Sequence, residues 1–121
     1  IGITPFVSQL REEARLVAAG ERARDVVLVH RIRDEHDLAY RDELVASGAR
    51  VLLVAPAAPA DLPETWHHAT DLDADAIRRV VPEPSGRAAF VSGSPSFVAR
   101  ATRVLRGAGV RRIRTDRFSG Y

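Results

Sequence analysis

Three short stretches of this 121-residue chain are apolar at every position: residues 26–29 (VVLV), 51–55 (VLLVA) and 88–91 (AAFV). A strand with one wet face alternates apolar and polar residues, so solid runs of this length imply burial on both faces. Elsewhere the apolar residues recur at helical spacing. Phe6, Leu10, Ala14 and Val17 form one such set, closed by Gly20, and Phe97, Val98, Ala101, Val104, Leu105 and Ala108 form another, closed by Gly109. Residues 38–46, ended by Gly48, and a segment from the capping Asp73 to Val81, stopped by Pro82, read as two shorter helices. Solid apolar strands (25–33, 50–55, 88–91 and a last one at 110–115) alternating with helices predict an α/β fold with a parallel sheet covered on both faces. Residues 56–70 hold three prolines and no steady period, and read as a surface loop. Trp66 lies within it, either anchoring the loop to the body or offering a stacking platform for an adenine ring.

Two turns share one grammar. After the 88–91 run, Ser92-Gly93 turns the chain and Ser94-Pro95 opens a helix, serine as cap and proline at the first helical position. Gly2-Ile3-Thr4-Pro5 repeats the pattern before the first helix. A strand end, a glycine and a capped helix start direct unpaired N–H groups and the positive end of a helix dipole at one point, a place for a phosphate or another anion. The alternative is an ordinary αβ connection. Gly2 should itself follow a strand, so we expect the first strand to lie upstream of Ile1, a reading that the absence of methionine also favours. With right-handed crossovers the sheet order becomes Rossmann-like, 3-2-1-4-5. The order reverses between strands 1 and 4, which are the strands that end in these two turns. Open α/β sheets bind ligands at such a reversal, most plausibly here a nucleotide.

Composition narrows the chemistry. With no cysteine, disulfides, thiol catalysis and cysteine-ligated metals are excluded. His67 and His68 are adjacent and cannot share a helix face, and His30 and His36 lack ligand spacing, so no metal site is expected. All 18 basic residues are arginine, but they alternate with 16 acids and the net charge is only +2, so nucleic acid is not an expected partner. Only Arg111, Arg112, Arg114 and Arg117 cluster. No apolar run approaches the ~20 residues that span a membrane, and no signal peptide is visible. A cytoplasmic domain is expected, or one at the cytoplasmic face of a membrane if an upstream segment is membrane-bound.

The two turns and the tail together resemble the pyridine-nucleotide-binding domain of the ferredoxin–NADP reductase superfamily, over nearly the whole chain. Gly2-Ile3-Thr4-Pro5 is similar to the second half of that family's GGxGxTP turn, and Ser92-Gly93-Ser94-Pro95 to its Cys-Gly-x-Pro motif. Asp116 to Tyr121 resembles the acid followed by an aromatic-Gly-Tyr tail of bacterial members, and Arg41-Asp42-Glu43-Leu44 their segment after the second strand. The resemblance implies a flavoprotein in which residues 1–121 form an NAD(P)-binding domain, incomplete at its start, behind a flavin-binding β-barrel domain. Hydride would pass from NADH or NADPH to FAD or FMN, and single electrons onward to an iron–sulfur or haem acceptor. Such transfer needs no general acid or base, so no catalytic side chain is expected. Gly2, Ile3, Thr4 and Pro5 would cradle the dinucleotide pyrophosphate, and Ser92, Gly93, Ser94 and Pro95 would border the nicotinamide and its ribose. Tyr121 would lie near the flavin. Arg31 and Arg33 would reach the dinucleotide phosphates or ribose, or else pair with Asp34, Asp37 or Asp42.

Two other functions compete with an electron-transfer reductase. One is a nucleotide-binding or regulatory module without redox chemistry, for which a Phe-Ser-Gly-Tyr terminus has no obvious use. The other is a receiver-like signalling domain, which would need an acidic cluster after its first strand to hold Mg²⁺.

Overall fold

The computed structural model describes residues 4–20, 25–33, 38 and 40–117. They form a mixed α/β chain of two compact units, one running to Asp71 and one from Leu72 onward.

In the N-terminal unit, α1 (Thr4–Ala18) is followed by β1 (Val27–Arg31), α2 (Arg41–Ala46), β2 (Arg50–Val54) and β3 (Trp66–Ala69). The three strands make a parallel sheet in the order β1-β2-β3. Leu28, Val51 and Trp66 are register partners and form one row across it. Against this row pack Val7 and Leu10 of α1 and Leu44 of α2, all 5% exposed or less. Of the set Phe6, Leu10, Ala14 and Val17 that marked this helix, Leu10 is buried and Phe6 packs half-buried beside it, whereas Val17 is exposed and Val7, outside that set, takes its place in the core. A second cluster joins Ile32, Leu53 and Ala55, with Leu38 and Leu62 half-buried beside it.

Two expectations need correction here. The 56–70 stretch is not loop throughout: it contains β3, which adds to the outer side of β2. Helix α2 starts at Arg41 rather than at 38, because Tyr40 stands in a left-handed conformation (φ 60°) and breaks the helical path just before it.

In the C-terminal unit, α3 (Ala74–Val80) starts at Asp73, whose carboxylate accepts from the Ala76 N–H at 2.8 Å. It buries Ala76, Ile77 and Val80. A short 3₁₀ turn (Pro84–Gly86) leads to β4 (Ala88–Gly93), α4 (Pro95–Gly107) and β5 (Arg112–Arg117). β4 and β5 pair in parallel, from Ala88 opposite Arg112 to Gly93 opposite Arg117. Helix α4 crosses between them and buries Val98 and Ala101. Arg78 of α3 donates to Gly107 O at 2.7 Å and ties the two helices' ends together. β4 runs two residues beyond the apolar run, because pairing with β5 continues to Arg117. Among the described residues no helix is long and apolar enough to cross a membrane.

Candidate functional site

The end of β4 and the start of α4 bring Ser92, Gly93, Ser94 and Pro95 into one turn. Ser92 is the fifth residue of β4, opposite Asp116, and its Oγ is buried without a hydrogen-bond partner. A buried hydroxyl left unpaired costs about 1–3 kcal/mol, so such a group invites a ligand atom or a water. Gly93 has no room for a side chain: a Cβ there would stand 2.7 Å from Cδ1 of Phe97. Ser94 then caps α4, its Oγ accepting from the Phe97 N–H at 3.3 Å while its carbonyl accepts from Val98 N at 2.9 Å. Pro95 takes the first helical position, where a missing N–H costs nothing. The first turn of α4 carries no acid, so the positive end of its dipole is not offset locally.

The other expected site residues are placed as follows. Gly2, Ile3 and Tyr121 lie outside the described residues, as do the side chains of Thr4 and Pro5, whose backbone forms the start of α1. Arg31 and Arg33 are exposed at the end of β1 and just beyond it, in the other unit from Ser92. Neither has an ion pair with Asp42; Asp34 and Asp37 lie outside the described residues.

Trp66 is 3% exposed, so of its two readings the anchor is the one its burial fits. The Arg41 guanidinium lies 5.6 Å from the centre of its ring and also reaches Asp61, donating to its carbonyl at 2.5 Å and lying 3.7 Å from its carboxylate. One arginine therefore fastens the long connection between β2 and β3 to the indole beneath it. Beyond β2, Ala55 O accepts from His68 Nε2 at 2.8 Å, and residues 56–58 (PAA) are exposed.

Sequence reasoning missed two features. His30, on β1 opposite Leu53, has a buried Nε2 without a partner, and burial lowers its pKa to about 4. Its position directly after the apolar run 26–29, within the strand read over 25–33, was the available signal. Phe90 is 55% exposed although it lies in a run read as buried. The described residues hold no cluster of three or more potential metal ligands. No protein-family model, curated protein or solved structure matches the chain.

Proposed function

We propose that the chain is the pyridine-nucleotide-binding half of a flavin-dependent oxidoreductase, serving transfer from NADH or NADPH to FAD or FMN and onward to an iron–sulfur or haem acceptor. The observation that carries this reading is the β4–α4 turn: an orphaned hydroxyl at Ser92, a glycine without space for a Cβ, and a capped helix start with no acid in its first turn. The Ser92 hydroxyl supports a small polar contact to a nicotinamide or its ribose and the α4 start supports an anion beside it, while Gly93 leaves room for Phe97 to pack under the turn. In this reading residues 1–121 are one nucleotide-binding domain with sheet order 3-2-1-4-5, β1 and β2 being strands two and three and β4 and β5 strands four and five. A β-barrel domain upstream carries the flavin.

NADH or NADPH, when bound, would supply the hydride that reduces the flavin. What this chain supplies is position and charge. Ser92 offers its unpaired hydroxyl to the nicotinamide end. Ser94 is committed to capping, so its role is to hold the turn in shape. By the family resemblance, Gly2 to Pro5 would cradle the pyrophosphate, the exposed Arg31 and Arg33 would answer its charge or the ribose, and Tyr121 would cover the flavin. NADH is the preferred donor, because a 2′-phosphate needs fixed donors after β2. There the His68 Nε2–H is spent on Ala55 O, residues 56–58 have no side-chain donor, and Arg41 is engaged with Asp61.

The test is anaerobic stopped-flow reduction of the flavin in the full-length protein. We expect reduction by both nucleotides, with the larger kcat/KM for NADH, and a Ser92→Cys variant whose reduction rate changes more than its nucleotide dissociation constant. A protein that holds no flavin and binds neither nucleotide overturns the reading. An unchanged rate with a shifted dissociation constant removes Ser92 from the nicotinamide end.

A further inference from the structure

Charge is unevenly divided along this chain. Residues 72–121 carry ten arginines and four acids, whereas residues 3–71 carry eight arginines and twelve acids. Three of the four acids of the C-terminal unit, Asp73, Asp75 and Glu83, lie at or near α3, leaving Asp116 alone among the arginines of β5.

Strand alternation sorts the β4–β5 pair into two faces. On one, Val91 and Gly93 are buried, and the close approach of Gly93 to Phe97 marks it as the side that α4 covers. The other face presents Ala88 and Phe90 with their register partners Arg112 and Arg114, and all four are exposed. Phe90, at 55%, is the most exposed large hydrophobic residue among those described. Arg112 spends one donor on Gly86 O at 3.1 Å, and Arg114 has neither hydrogen bond nor ion pair among the described residues. An aromatic centre bordered by arginines with unspent donors has the composition of a protein interface core.

We propose that this face of β4 and β5 docks an acidic protein surface, with a small apolar patch of the partner seated on Phe90 and Ala88 and its carboxylates paired with Arg112 and Arg114. Charge complementarity selects the partner. Single-stranded nucleic acid is a poorer fit, because its sheet platforms stack successive bases on two or three aromatics, and this face has one. The proposal does not depend on the redox reading, since it concerns binding alone.

The experiment measures fluorescence anisotropy of a labelled peptide in which Glu alternates with Leu, titrated with the full-length protein at low and at physiological salt. The expected result is saturable binding that weakens with salt. Phe90→Ser and Arg114→Glu should each weaken it by about fivefold or more. The pair Arg100→Glu and Arg103→Glu, which changes charge on exposed α4 positions instead, should leave it within about twofold. Absence of peptide binding, or equal loss in the α4 variant, overturns the proposal in favour of unspecific charge. Tighter binding of a mixed-sequence single-stranded oligonucleotide, or of phosphatidylserine vesicles, with the same dependence on Phe90 and Arg114 overturns it in favour of those ligands. Self-association of the full-length protein abolished by Phe90→Ser makes a second copy the occupant and overturns it as well.

Discussion

Acid should weaken this protein in part through the imidazole of His30. His30 sits on β1 in register with Leu53, its Nε2 buried and unpartnered, and burial brings its pKa from the ordinary 6.5 to about 4. The folded state therefore favours the neutral ring, and between pH 6.5 and 4 the unfolded chain binds the extra proton. The contribution is intact above pH 6.5 and is lost as pH falls toward 4. Linkage gives a loss of about 2 kcal/mol at pH 5 and about 3 kcal/mol at the acid limit, before carboxylate titration is added. His30→Leu removes the titrating group and the orphaned nitrogen while keeping the volume near that of the imidazole. In the full-length protein the variant should melt at a higher temperature than the parent at pH 5, with a smaller difference at pH 7.5. Histidine ¹³C NMR, assigned by the signal that vanishes in the variant, should find a titration midpoint for His30 well below the ordinary 6.5. A midpoint near 6.5, or melting curves whose pH dependence is the same with and without His30, refutes the reasoning.

Two further outcomes follow from the turn and from the arginine clamp. Ser94→Ala should cost about 1 kcal/mol by removing the α4 cap, whereas Ser94→Asp should retain the cap and yet weaken dinucleotide binding, by setting a negative charge at the helix start; calorimetry with NADH separates the two. Arg41→Ala should free the connection between β2 and β3 from Trp66 and Asp61, seen as faster proteolysis between residues 56 and 65, and an unchanged cleavage rate would mean the clamp is ornamental.

The parts of the fold that show in the sequence are those where local pattern and burial agree. α1 and α4 declare themselves through Phe6 and Leu10 and through Val98 and Ala101, each pair at helical spacing, and β2 is a solid apolar run that is also almost wholly buried. The capped turn at Ser92 to Pro95 is legible for the same reason, since serine, glycine and proline each act on the backbone next to them. β3 is not. Trp66-His67-His68-Ala69 is short, flanked by a proline-rich stretch, and carries two polar residues at its centre. Its strand conformation comes from hydrogen bonds with β2, a tertiary cause that no local pattern records. The exposure of Phe90 is hidden likewise, because AAFV says that a strand is apolar and not which of its faces another element covers. His30 reads as an ordinary strand residue just beyond an apolar run until its lack of a partner is seen.

β2 has a distinction whose consequence is kinetic. It is the one strand among those described that is paired along both edges, and Val51 to Val54 are at most 3% exposed. Successive amides of β2 point to opposite edges, Arg50 N to Val26 O on the β1 side and Val51 N to Thr65 O on the β3 side, so each loses its bond when its own neighbour lifts, but the strand itself leaves the sheet only when both are lost. Hydrogen–deuterium exchange in the N-terminal unit should therefore be slowest in β2, whose residues stay covered on both faces and held along one edge while α2 frays or a single neighbouring strand detaches. The slowest amides of that unit then set a lower bound on its global stability, and any ligand held by it would slow them by at most the full measure of its binding energy.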